Sequence, residues 1–340
     1  MDRRTVIKII GLSVLASIIV IRPVGGAEKA LMVKMGTLAP EGSSWMKTFN
    51  KLNAELMQKT ERQVGFKIYP GGILGDEKDM LRKMHIGQIQ SAALTSGGLS
   101  VLFNEIDVSQ VPFLFQNYGE VDYVLRKMDS FFKKGFEDSG YILLGWSEAG
   151  FVYLMSSSPI SSVSDLKKVK VWMWEEARVA KAVFDEAGIA AIPLSIPDVL
   201  VGLQSGLVDV VYAPPTAAIS LQWFTKVKNI TNVPLVYVAG GIVMKKDIFR
   251  RMTPKVQSIL VSSFEQHLDQ LKTLTRNENR DAITVMEKHG MEIITPSAAQ
   301  IDEFKRLADR AMVHVIDRSF SKKVLDEVSS HLERYRSGGR

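Results

Sequence analysis

The chain of 340 residues contains no cysteine. That excludes disulfides, thiolate-bound zinc or iron–sulfur clusters, a cysteine nucleophile and the lipid-bearing cysteine of a lipoprotein, and it leaves a protein usable in any redox compartment. Histidine is scarce: His85, His267, His289, His314 and His331 include no pair at a metal-ligand spacing on one helix, and each reads as a surface or helix-end residue. Charge of one sign is scarce too. The formal balance is +6, but Arg3, Arg4, Lys8, Arg22 and Asp2 lie in the first 27 residues, and without them it falls to +3. So small an excess argues against a nucleic-acid partner. No Gly-x-Ser-x-Gly elbow occurs, and Gly71-Gly72-Ile73-Leu74-Gly75 lacks both the Lys-Ser/Thr of a P-loop and the spacing of a dinucleotide fingerprint, so it reads as a turn. Glu175-Glu176 and Asp185-Glu186 read as solvated helix faces. There is no internal repeat and no low-complexity segment beyond the polar tail Arg336 to Arg340.

The one long apolar run, Val6 to Ile21, is interrupted by Lys8, Gly11 and small residues, and is too short and flawed for a membrane span. Arg22, Pro23 and the small residues Gly25, Gly26 and Ala27 come directly after it. Residues 1–27 therefore read as a signal peptide cleaved after Ala27. Asp2-Arg3-Arg4-Thr5-Val6-Ile7-Lys8 resembles a twin-arginine signal, the alternative being an ordinary Sec signal whose basic end holds two arginines.

The mature chain alternates strands and helices. Leu31, Val33 and Met35 alternate as in a strand; Trp45, Phe49, Leu52 and Leu56 recur at helical spacing; Phe66 and Ile68 mark a second strand. Asp76-Glu77 places negative charge at a helix start, and Ala92 to Thr95 reads as a strand ending in Ser96-Gly97-Gly98. A second unit repeats the grammar: strand candidates Tyr141 to Trp146, Phe151 to Met155, Val169 to Trp174 and Val208 to Tyr212, helices Glu176 to Ala187 and Ser195 to Gly206, and a returning strand Gly241 to Met244. Ile301, Phe304, Ala308, Ala311 and Val315 predict a long amphipathic helix near the end. This order predicts an α/β protein with a mainly parallel sheet in each of two domains and binding loops at the carboxyl ends of the strands.

Three segments then carry a family resemblance: Pro70-Gly71-Gly72-Ile73-Leu74-Gly75-Asp76-Glu77, Val111-Pro112-Phe113-Leu114-Phe115, and Ser164-Asp165-Leu166-Lys167-Lys168-Val169-Lys170-Val171. In that order they resemble the solute-binding subunit of tripartite ATP-independent periplasmic transporters, from about Met32 to the final helix. The resemblance implies a two-domain periplasmic binding protein with hinge strands, a cleft between the domains and a long C-terminal bracing helix. It also implies delivery of a small organic solute to membrane permease subunits, with no cofactor and no catalysis. The expected division is 28–150 plus about 238–277 for the first domain, and about 151–237 plus 278–335 for the second and the bracing helix.

Departures from the family pattern point to the ligand. Where most members carry an arginine that grips a substrate carboxylate, this chain has Trp172; a further arginine after Gly-Phe is replaced by Val152, and a frequent asparagine by Ala213. The pattern resembles the branch associated with a periplasmic tetratricopeptide-repeat partner, and implies a neutral or hydrophobic solute. Trp172 and Trp174 share a strand face and are expected on the cleft wall. Tyr212 and Pro214 are candidates for its floor, and Phe113, Thr37, Trp45, Ser96 and Gly97 for further contacts. Glu148, in a turn between two strands, is either a ligand hydrogen-bond acceptor or a solvated carboxylate. Two other functions are open: an exported enzyme using the same cleft, and a binding protein for an ATP-driven importer. Replacing Arg3 and Arg4 together with lysine is expected to abolish export by the twin-arginine route; a doubly substituted protein that still reaches the periplasm in a fractionation assay establishes the Sec route instead.

Overall fold

The computed structural model describes residues 30–338, and the expected signal peptide lies outside them. The first half runs β1 (Leu31–Gly36), α1 (Ser44–Lys59), β2 (Val64–Tyr69), α2 (Glu77–His85), β3 (Ser91–Thr95), α3 (Ser96–Leu102), a 3-10 segment Asn104–Gln110, α4 (Tyr118–Asp138) and β4 (Tyr141–Ser156). The second runs α5 (Val163–Leu166), β5 (Trp172–Met173), α6 (Arg178–Ala187), β6 (Ile192–Pro193), α7 (Val199–Gln204), β7 (Val210–Ala213), α8 (Pro215–Ser220), β8 (Asn229–Thr231) and β9 (Val236–Lys245). The chain closes with α9 (Lys246–Phe249), α10 (Pro254–Lys288), β10 (Glu292–Ile294), α11 (Ala298–Met312) and α12 (Lys322–Arg336).

Local chemistry explains the first elements. Ser43 caps α1 through the amide of Met46, and Met46, Phe49, Leu52 and Leu56 bury one face of that helix. Asp76 and Asp79 form a reciprocal capping box at the start of α2. Pairing of β1 with β2 and β3 is parallel, as expected of a βαβαβ unit. The α/β, two-unit fold class stands, but the sheet is mixed rather than mainly parallel. β9 is antiparallel to both β3 and β4, β7 and β8 are antiparallel to β4, and only β10 runs parallel to β8. One eight-stranded sheet results, ordered β10-β8-β4-β9-β3-β1-β2 with β7 also on β4.

Several expectations change with the tertiary setting. Tyr141–Trp146 and Phe151–Met155 are one strand, because β9 pairs along nearly all of β4 with bulges at Leu143/Gly145 and Glu148/Gly150. Gly150 sits there at φ +111°, and a side chain on it would lie 2.5 Å from Asn279 Nδ2. Glu148 is consequently not in a turn. The strand expected over Val169–Trp174 shrinks to Trp172–Met173, and Ser96-Gly97-Gly98 opens α3 instead of a loop. The bracing helix is α10, 35 residues long, while the rhythm from Ile301 belongs to the shorter α11. His267 is no surface residue: it is buried mid-helix on α10, with Nδ1 2.8 Å from the Ser263 carbonyl and Nε2 3.4 Å from Glu55. Nor is Arg336 part of a loose tail, since it ends α12 and its guanidinium bonds the buried Glu120 at the start of α4 at 2.8 and 2.9 Å.

α10 packs along α1, β4 and α8, so it touches both halves of the sheet. Leu260, Phe264, Leu268 and Leu271 bury against the first half, and Met286 against the second. Between these two contacts lies Arg276. Its Nε and Nη2 bond Glu148 at 2.6 and 2.8 Å, its Nη1 and Nη2 bond Asp122 at 2.7 Å, and its guanidinium lies 4.4 Å from the Tyr118 ring centre. Tyr237 on β9 donates to the same Glu148 at 2.9 Å. Arg276→Met is expected to destabilise the protein by about 3–5 kcal/mol, because the buried Glu148 carboxylate loses its counter-charge. Urea unfolding checks this, and Arg276→Met combined with Glu148→Leu should cost less than the sum of the single changes.

Candidate functional site

A cavity of about 680 Å³ lies where the two halves of the sheet meet. The loop after β1 contributes Thr37 and Leu38, and α1 contributes Trp45; Thr95 and Gly97 come from the end of β3 and the start of α3. Ala149, Val152 and Leu154 on β4 and Val236 and Val238 on β9 cross behind it. The far wall is Trp172 and Trp174 at β5, Val179, Val183 and Phe184 on α6, and Tyr212, Ala213 and Pro214 at the end of β7. Phe113 hangs over it in a left-handed backbone conformation, φ 60°, held by its N–H bond of 2.8 Å to the Leu235 carbonyl. A bulky residue there carries roughly 1–2 kcal/mol of backbone strain, which the fold offsets elsewhere.

The candidate residues Trp172, Trp174, Tyr212, Phe113, Thr37, Trp45, Gly97, Val152, Ala213 and Pro214 are thus brought together on this wall. Two are not. Ser96 is fully buried beside it, with no hydrogen-bond partner for its Oγ. Glu148 is buried in β4 and committed to Arg276 and Tyr237, so neither of its expected roles, ligand acceptor or solvated carboxylate, describes it. Trp172 shows only 3% of its surface. Its Nε1 donates to the Leu194 carbonyl at 3.0 Å, and its ring lies 4.9 Å from that of Tyr212 and 5.2 Å from that of Trp223. It backs Tyr212, which is the more accessible of the two and presents the aromatic face of the wall. The Tyr212 hydroxyl accepts from the backbone N–H of Trp174 at 3.2 Å, and burial raises its pKa.

Among the described residues, the charged side chains on the cavity are Lys47, Glu77, Glu278 and Asp281, and no arginine lines it. Lys47 is exposed, and Glu278 accepts from Ser44 Oγ at 2.8 Å. Glu77, the first residue of α2, is buried and accepts from the backbone N–H of Thr95 at 2.7 Å and from its hydroxyl at 2.9 Å. Burial pushes Glu77 up to about 7, and the nearby Asp76 charge adds to the rise, while the amides of Thr95 and Gly98 oppose it.

The two halves also touch across the cavity. Asp76 Oδ1 accepts from its own helix, at the Glu77 amide, at 2.7 Å. Its Oδ2 accepts from Trp174 Nε1 at 2.9 Å and from the Ile196 amide at 3.0 Å. The Trp174 ring lies flush on Gly97, where an added Cβ would come within 2.0 Å of it. Arg178 reaches to within 3.6 Å of the buried Asp107, whose carboxyl burial pushes up to about 6 against the pull of that guanidinium. Asp76-Glu77 announces a helix start in the sequence, but nothing local in it announces a partner 98 residues away.

A cavity between two α/β halves, crossed by shared strands and braced by one long helix, defines a binding protein of the two-unit kind. The family model for bacterial extracellular solute-binding proteins, family 7, matches residues 35–322, and the chain belongs to that family. It is 26% identical over 250 residues to the 2,3-diketo-L-gulonate-binding periplasmic protein YiaO of Escherichia coli, covering 72% of this chain and 75% of that one. Its fold is similar to that of a solute-binding protein from Xanthobacter autotrophicus with bound β-D-galacturonate, at TM-score 0.82 and 20% identity over 88% of this chain and 99% of that one. A solute-binding protein from Desulfovibrio salexigens with bound orotic acid is similar at TM-score 0.83 and 18% identity, over 89% and 99%.

Glu77 makes stability depend on pH in a definite direction. Its folded-state value of about 7 lies above the 4.5 of the unfolded chain, so the folded protein holds an extra proton between them and loses stability as pH rises through that window. The loss is on the order of 3 kcal/mol. Denaturant titrations at pH 5 and pH 8 are expected to show a smaller drop for Glu77→Gln than for the parent protein.

Proposed function

We propose that this chain is a periplasmic solute-binding protein that captures a small organic solute with a neutral, largely apolar body and delivers it to the permease subunits of an ion-gradient-driven tripartite transporter. The observation that carries the ligand class is the composition of the cavity wall: aromatic and aliphatic side chains, three carboxylates and a single exposed lysine, with no arginine among the described lining residues. Val152, Trp172 and Ala213, the positions at which the resemblance implies the family's anion-reading residues, all lie on this wall. Burying a carboxylate there without a cation would cost several kcal/mol. Covering apolar surface is worth about 25 cal/mol per Å² instead. The volume suits one medium-sized molecule.

Domain division is part of the same reading. We divide the halves at β4 and β9, and assign α12, which packs on α4, to the first domain. Binding without turnover fits the site, since the buried acid on the wall, Glu77, is committed to Thr95. A periplasmic tetratricopeptide-repeat partner accords with an apolar ligand that needs handing over out of water.

A second reading, an acidic solute, is favoured by the galacturonate and orotic acid held by the similar structures. It would rely on Lys47 at the rim and on backbone amides. Calorimetry with matched pairs of a carboxylic acid and its methyl ester separates the two: the ester is expected to bind at least tenfold tighter. Tighter binding of the acid, or of galacturonate, establishes the acidic ligand. Turnover of either compound would establish an enzyme.

A further inference from the structure

Asp76 is the place where the two halves are bonded most directly. Its carboxylate is buried, it caps α2 with one oxygen, and with the other it accepts from Trp174 Nε1 and the Ile196 amide of the opposite half. Both donors come from segments flanking the two-stranded pair β5–β6, so the bonds hold that whole pair against the first half. The indole is fixed in three ways: its N–H on Asp76, its six-membered ring on Gly97, and its backbone N–H on Tyr212. The same indole lines the cavity.

We propose that Asp76 is a closure latch, and that Trp174 is the positioning residue through which an occupant of the cavity sets it. With the halves apart, Asp76 Oδ2 and the Trp174 and Ile196 N–H groups are hydrated separately; with the halves together, water leaves and one carboxylate oxygen takes both donors. Hydrogen bonds to a charged acceptor, made only in the closed arrangement, bias the equilibrium by their full difference between the two states. An apolar solute packed on the indole face holds the ring against Gly97, where its N–H meets Asp76. This last step rests on the apolar-ligand reading of the cavity; the latch itself does not. Arg178, 3.6 Å from Asp107, and Lys78, 2.9 Å from Glu176, cross the same gap with longer or exposed contacts.

Because the chain has no cysteine, Ile86→Cys and Leu207→Cys, at exposed positions on opposite halves, provide two unique spin-label sites. Pulsed electron–electron distance measurements on the exported protein then report the ratio of short to long distances. They are made with and without N-phenyl-1-naphthylamine, a neutral apolar fluorophore. Asp76→Ser keeps a helix cap but is too short to cross the gap, Asp76→Asn keeps the size and loses the charge, and Trp174→Phe keeps a ring and loses the N–H. The short-distance share relative to the long is expected to fall about tenfold or more in Asp76→Ser, and less in Asp76→Asn and Trp174→Phe. The drop is read at unchanged unfolding midpoint, or in Asp76→Asn alone if Asp76→Ser is unstable. Unchanged distance ratios in folded variants overturn the latch, as does a parent protein that never shows the short distance. Fluorophore that fails to bind any of the proteins overturns the apolar-ligand reading and leaves the distance comparison without fluorophore as the measure of the latch.

Discussion

Pairing between β4 and β9 is the constraint on which the remainder of this fold depends. The two strands run antiparallel from Tyr141–Lys245 at one end to Val152–Val236 at the other, and they belong to both halves of the sheet at once. β3, and through it β1 and β2, attach to β9; β7, β8 and β10 attach through β4. The bulges beside Glu148 and Gly145 interrupt the ladder at the shared strands. The cavity sits against this shared segment, with Val152 and Val238 from the two strands on its wall.

Burying a carboxylate in the middle of that pair would be costly on its own. Glu148 is tolerated because Arg276 supplies two bonds to it and Tyr237 a third, and because Asp122 balances the remaining guanidinium donors. The arrangement ties α4, β4, β9 and α10 together at one point. The bracing helix is pinned near mid-length by this directional ion pair and, towards each end, by apolar contacts with each half. Buried carboxylates thus tie the shared strands to α10 at Glu148 and bridge the halves at Asp76, while the cavity wall is mostly aromatic and aliphatic, with Lys47, Glu77, Glu278 and Asp281 as its charged members.

That division explains why the aromatic wall is assembled as it is. Trp172 and Trp174 are two residues apart in sequence but do different things: one backs Tyr212 with its N–H turned to Leu194, the other turns its N–H across the gap to Asp76. Indole suits both tasks, since its body is apolar and its single donor needs a partner when buried. Phe113 reaches the same wall only because a backbone bond to Leu235 holds it in the left-handed region.

Much of this was legible in the residues themselves. Alternation in Leu31–Met35, the helical spacing of Trp45–Leu56 and the acidic helix start at Asp76-Glu77 are local patterns, set by strand and helix periods and end charges that any environment preserves, whereas the apolar residues at 152, 172 and 213 drew notice only through the family resemblance. The facts that needed the tertiary structure depend on residues far apart in sequence. Glu148 reads as a ligand acceptor or a solvated carboxylate until the fold brings it and Arg276, 128 positions apart, to 2.6 Å, and the buried positions of α10 face two different cores. The antiparallel insertion of β9 leaves no mark within β9, since a largely buried strand is apolar whichever way it runs. Periodicity tells which face of an element is buried; only the assembled fold decides what is buried against it, and that is where the charges of this protein found their partners.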